Sequence, residues 1–113
     1  MPNPVTWFEV IGKNGDKLRD FYGKAFGWQM QVAPEMNYGM VNNGGEGIDG
    51  GIGQGEQTSV VFYIQVDDPQ AYLNKVESMG GKTIVPVTEI PNMVTFAQFA
   101  DPEGNVVGLV KSQ

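Results

Sequence analysis

A chain of 113 residues, 41% hydrophobic and 11% aromatic, suits a single domain with a real core. It has no cysteine and no histidine, which removes disulfides, thiolate and imidazole metal ligands and the commonest neutral-pH base, and leaves carboxylates for such work. Thirteen acidic against seven basic residues give a net charge of -6, which disfavours nucleic acid and anionic lipid and favours cationic or neutral ligands. No apolar run reaches a membrane span, and Met1-Pro2-Asn3-Pro4-Val5 carries neither a basic nor an apolar leader region. The expectation is a cytoplasmic protein with no membrane partner.

Pro4 to Ile11 alternates with period two, setting Trp7 and Glu9 on one face and Phe8 and Val10 on the other. Lys13-Asn14-Gly15-Asp16 turns into a helix in which Leu18, Phe21, Tyr22 and Ala25 form the apolar stripe and Gly27 the left-handed cap. Trp28–Val32 and Tyr38–Val41 read as two strands, with Pro34 between them forbidding a continuous helix. Gly45, Gly47 and Gly50 satisfy G-x-G-x-x-G, yet no helix follows to hold a pyrophosphate, so the stretch predicts a loop and a glycine-rich strand around Ile48–Gly53.

Ser59 to Val66 is the clearest strand, with Val61, Tyr63 and Gln65 opposite Val60, Phe62, Ile64 and Val66. Asp67-Asp68-Pro69 starts a second helix with a carboxylate cap, striped by Tyr72, Val76 and Met79 and ended by Gly80-Gly81. Strands follow at Lys82–Val87 and Met93–Ala100. The turn Asp101-Pro102-Glu103-Gly104-Asn105, with positive φ assigned to Gly104 and Asn105, then leads into a last strand to Val110. Phe8 matches Phe62, Val10 Ile64, Leu18 Tyr72 and Tyr22 Val76 at an offset of about 54, and Gly51 falls against Gly108 at about 57, so the chain reads as internally duplicated.

Two βαβββ units resemble the vicinal oxygen chelate superfamily of glyoxalases, extradiol dioxygenases and bleomycin-resistance proteins. The residues that carry the resemblance are Phe21-Tyr22…Phe26-Gly27-Trp28, Val66-Asp67-Asp68, Gly80-Gly81-Lys82 and Asp101-Pro-Glu-Gly-Asn105. The resemblance implies an α+β fold: a single domain over 1–113 with modules of about 1–56 and 57–113, forming an open, curved, mixed-sheet barrel with outer helices. Metal-dependent members carry ligands at positions that here read Trp7, Val61, Gly51 and Gly108, none of which offers a metal donor. The resemblance therefore departs from metal dependence, and neither metal nor cofactor is expected.

The alternation places Trp7, Glu9, Val61, Tyr63, Phe96, Gln98 and Gly108 on the inner face. With Trp28, Tyr38 and Gly51 they are the expected lining of a ligand cavity between the modules, unless the aromatics fill it. Glycine at 51 and 108 argues for open space. Glu9 is the one inner carboxylate, a candidate acid or base if apolar neighbours raise its pKa, and otherwise a hydrogen-bonded or rim carboxylate. The expectation is a homodimer that binds a small aromatic or cationic molecule without metal, the alternative being a metal-independent lyase or isomerase using Glu9.

Overall fold

The computed structural model describes residues 3–112, so Met1 and Pro2, used above against a leader, lie outside the described residues. The elements are β1 (Val5–Gly12), α1 (Gly15–Phe26), β2 (Gln29–Ala33), a 3-10 turn (Pro34–Met36), β3 (Tyr38–Asn42) and β4 (Asp49–Gln54). There follow β5 (Ser59–Val66), α2 (Pro69–Ser78), β6 (Lys82–Ile90), β7 (Val94–Ala100) and β8 (Val106–Lys111). The chain divides into two compact units. One is Thr6–Val61, the other Met1–Val5 with Phe62–Gln113, of which 3–5 and 62–112 are described. Each unit has the predicted βαβββ order.

In the first unit the strands lie in the order β2-β3-β4-β1, with β1 parallel to β4 and the other neighbours antiparallel. Asn14 caps α1 by accepting the Lys17 N–H at 3.1 Å, and Gly27, at φ 70°, closes it by donating to the Gly23 carbonyl. The predicted stripe of α1 needs correction. Phe21 is 58% exposed and Ala25 is exposed, Leu18 and Tyr22 are half-buried, and the buried residues are Gly15 and Arg19. The Arg19 guanidinium lies beneath its own helix because acceptors wait there: the Asn37 and Ile52 carbonyls at 3.2 Å each and the Asn37 side-chain oxygen at 2.8 Å. Val41 and Ile52 are fully buried in the same sheet.

In the second unit the order is β5-β8-β7-β6, again with one parallel pair, β5 and β8. Val66, Leu73, Ala97 and Leu109 form its core, with Ile64, Tyr72 and Phe99 packed against them. Full burial of a side chain such as Leu73 stabilises by about 1.5–3 kcal/mol. The α2 stripe shifts too: Leu73 is buried, whereas Met79, past the helix end, is 69% exposed. Asp68 is the capping carboxylate, accepting the Ala71 N–H at 3.2 Å with Pro69 in the first turn. Phe62, on the strand face opposite Tyr63, is exposed. β6 runs to Ile90, beyond the predicted Val87. The start of the chain belongs here: Pro4 accepts the Gln65 N–H at 2.8 Å and Asn3 donates to the Tyr72 hydroxyl at 3.1 Å. Neither helix is long and apolar enough to cross a membrane.

The duplication holds in strand register. Gly51 stands beside Glu9 across β4 and β1, and Gly108 beside Tyr63 across β8 and β5. Met40 flanks Gly51 as Gln98 flanks Gly108.

Candidate functional site

Strand alternation puts Trp7 and Glu9 on the face of the first sheet that α1 does not cover, and Tyr38 joins them from β3. The Trp7 indole N–H donates to the Tyr38 hydroxyl at 3.2 Å, and that hydroxyl donates to Glu9 Oε2 at 3.1 Å. The phenol thus couples an indole to a carboxylate, all three side chains being half-buried. A Cβ added at Gly51 would stand 1.8 Å from the Tyr38 hydroxyl oxygen, so Tyr38 fills the space that the missing side chain leaves. On the opposite face of β4, a Cβ at Gly50 would stand 2.3 Å from the Phe8 ring. The glycine-rich strand is therefore a strip over which aromatic rings lie on both sides.

The second sheet repeats the device with a different donor strand. The Tyr63 ring, from β5, lies over Gly108, where an added Cβ would meet it at 2.2 Å. Gln98 Nε2 donates to the Tyr63 hydroxyl at 2.8 Å, and the Phe96 ring meets Tyr63 edge-on at 6.5 Å between centroids. Tyr63 is 5% exposed and Val61 4%. The expected open space at Gly51 and Gly108 is thus corrected: in each unit a tyrosine occupies it.

The predicted lining residues fall accordingly into two clusters. Trp7, Glu9, Tyr38 and Gly51 come together in the first unit, and Tyr63, Phe96, Gln98 and Gly108 in the second. Trp28 does not join them. It stacks on Tyr22 of α1 at 5.4 Å and tilts against Phe8 at 5.4 Å and Phe26 at 5.8 Å, on the helix side of the sheet. Its place one residue before β2 gives it the parity of Met30 and Val32, which line a groove with it beside α1. Sequence reasoning singled out Trp7, Glu9 and Tyr38 but not the bonds that join them, because these depend on how far a phenol reaches across β4. Among the described residues no three of Asp, Glu, His or Cys gather to hold a metal ion.

CFP32 of Mycobacterium tuberculosis (strain CDC 1551 / Oshkosh), provisionally named a glyoxylase, is 27% identical over 113 residues, covering 95% of this chain and 43% of its own. The chain thus spans less than half the length of that curated relative. A glyoxylase-like domain-containing protein of Didymella fabae is 27% identical over 112 residues, covering 89% of this chain and 88% of its own. A solved structure from Vibrio splendidus 12B01, a glyoxalase/bleomycin resistance protein/dioxygenase superfamily member, matches at a TM-score of 0.69 and 14% identity over 97% of this chain and 99% of that one. Its likeness speaks for the fold. The family profile itself matches residues 5–109, and the chain belongs to the Glyoxalase/Bleomycin resistance protein/Dioxygenase superfamily.

Proposed function

We propose that this chain is a metal-independent member of its superfamily that binds a small aromatic or cationic organic molecule on the helix-free faces of its sheets. The observation that carries this reading is the half-buried cluster of the Trp7 indole, the Tyr38 phenol and the Glu9 carboxylate, which stands where tyrosine has filled the space at Gly51. By the resemblance drawn above, a metal would be held from Trp7, Val61, Gly51 and Gly108, and these residues do not fit one. An indole N–H, an isopropyl group and two hydrogens supply no lone pair to an ion. Phenol and indole surfaces beside the Glu9 carboxylate suit a flat or cationic partner, which gains from ring contact and from cation–π attraction together.

Trp7 and Trp28 are the only two indoles, and Trp28 is engaged with Tyr22. In a Trp28→Phe protein, emission therefore reports Trp7 alone. Small aromatic amines and neutral aromatics should quench it saturably and raise Tm as RT ln(1 + [L]/Kd). No saturable quenching by either class up to about millimolar concentration, the weak end of specific binding, would overturn the reading.

The bond from Tyr38 to Glu9 favours a second reading, in which Glu9 moves a proton as a lyase or isomerase base and the phenol steadies the carboxylate. Glu9→Gln separates the two. Binding of a neutral aromatic should change by about fivefold or less, the scale of one exposed charge contact. Proton exchange into a carbon acid, followed by NMR in deuterated water, should fall about 10²–10⁴-fold if Glu9 is the base.

A further inference from the structure

Two asparagines of the first unit precede glycine, Asn14 before Gly15 and Asn43 before Gly44. Such a pair is open to deamidation, because the glycine nitrogen can close a succinimide ring on the asparagine carboxamide with no side chain of its own in the way. The fold treats the two pairs differently. Gly15 opens α1 and is buried, and a Cβ there would stand 2.7 Å from Asn37 Oδ1, 2.8 Å from Arg19 Nη1 and 3.1 Å from the Gln54 Cβ. Its N–H donates to Gln54 Oε1 at 2.9 Å in a part-buried bond. Asn14 is held by the helix it caps, its carbonyl accepting the Leu18 N–H at 3.0 Å and its Oδ1 the Lys17 N–H at 3.1 Å. Ring closure there requires fraying the first turn of α1 and drawing Gly15 out of its packing. Gly44, by contrast, is exposed at φ 63°, and a Cβ added at Gly44, Gly45 or Gly47 would meet nothing within 4 Å. Asn43 has partners of its own: its N–H donates to Asp49 Oδ1 at 2.8 Å, its side-chain amide donates to the Ile48 carbonyl, and its carbonyl accepts the Glu46 N–H at 3.1 Å. The Gly44 N–H donates to Asn42 Oδ1 at 2.7 Å. The side-chain bonds among these are exposed and confined to the ends and span of the loop 43–48, where water replaces them and opening disturbs no core.

We propose that Asn43 is a site of self-modification, deamidating in water to aspartate and isoaspartate while Asn14 is spared. This goes beyond the ligand-binding reading and does not depend on it. The Gly44 nitrogen gives its proton to a base from solvent and bonds to Asn43 Cγ. The Cγ–Nδ2 bond breaks, and Nδ2 takes up a proton and leaves as ammonia. Water then opens the succinimide: attack at Cγ gives aspartate, and attack at the main-chain carbonyl gives isoaspartate. Either product removes the amide donor from the Ile48 carbonyl and puts a negative charge into a loop that already holds the Asp49 carboxylate. Isoaspartate also lengthens the main chain by a methylene directly after β3. That loop joins the strand carrying Tyr38 to the strand carrying Gly51, whose pairing through Met40 and Gly51 sets the phenol in place. The reaction runs one way, so its product marks the age of the chain at the joint between those strands.

Peptide mapping by mass spectrometry, on the full chain held in warm and mildly alkaline buffer, tests the assignment. In the folded protein the Asn43 peptide should lose its amide about tenfold or more faster than the Asn14 peptide, the difference between opening a loop and fraying a packed helix start. In concentrated guanidinium both pairs are unfolded, and their rates should come within about threefold of each other. That second arm separates the effect of the fold from the effect of the flanking residues. The Asn43 peptide should yield two products of equal mass that separate on elution, as ring opening on either side requires. Equal rates at the two sites in the folded chain, faster loss at Asn14, or a tenfold ratio that persists in guanidinium would each overturn the proposal. So would an Asn43 peptide that keeps its amide in the folded chain over the time in which the unfolded chain loses it.

Discussion

The guanidinium of Arg19 takes the place of water for two backbone carbonyls and one side-chain oxygen. Its ion pair with Asp16 is the weaker part, since Asp16 is 94% exposed and such contacts contribute about 0–1 kcal/mol. The Ile52 carbonyl is on a residue with no exposed surface, so water does not replace a lost guanidinium there. Arg19→Met should therefore destabilise the protein by about 2–4 kcal/mol, the cost of stranding buried acceptors, whereas Asp16→Asn should cost under about 1 kcal/mol. Arg19→Lys should resemble Arg19→Met, because a point ammonium does not reproduce a fork reaching several acceptors. Urea unfolding curves check all three, and equal losses for Arg19→Met and Asp16→Asn would contradict this division. The sequence pattern missed Arg19 because hydropathy scores a cation as exposed, whatever acceptors the fold places beneath it. Trp28 was misplaced for a related reason: it precedes its strand, and only the stack on Tyr22 settles its face.

At the level of elements, the turn after β7 was legible almost bond by bond. Asp101 accepts the N–H groups of Glu103 and Asn105 at 2.9 Å each and the Asn105 side-chain amide at 2.9 Å, and Gly104 sits at φ 91°. Asn105, however, is not in the positive-φ region, and Gly104 alone makes that excursion. The Asn105 amide, foremost, and the backbone donors hold the Asp101 carboxyl below its ordinary 3.8. A carboxyl depressed in the folded state stabilises above its unfolded pKa and loses that contribution as pH falls through the folded value. Asp101→Ala should thus lower Tm at about pH 7, and the gap should narrow from roughly pH 4 downwards as wild-type Asp101 protonates. Circular dichroism melts along a pH series read this, and a gap that stayed constant to pH 2 would count against it. Strand and helix order was equally legible, because alternation and caps are local. Which tyrosine covers which glycine was not, since β3 supplies the ring in one unit and β5 in the other.

For the molecule as a whole, an offset in the sequence forecast two units of one topology, and strand register supports it at Gly51 and Gly108. The offset carried no information on how the chain is shared out. Asn3 and Pro4, sequence neighbours of β1, bond within the unit that begins at Phe62. Removing residues 1–4 should accordingly speed hydrogen exchange at the Gln65 amide and leave the β3–β4 amides unchanged, as mass spectrometry of exchanged peptides would show. The opposite pattern would mean that these residues serve the first unit. The same bond has a consequence for biosynthesis. Pro4 is made some sixty residues before its donor, and chains elongate at about 5–20 residues per second, so for several seconds the Pro4 carbonyl waits with its partner unmade. The bond from Gln65 to Pro4 closes a long loop late, once the whole of Thr6–Val61 that lies between them in sequence has been made.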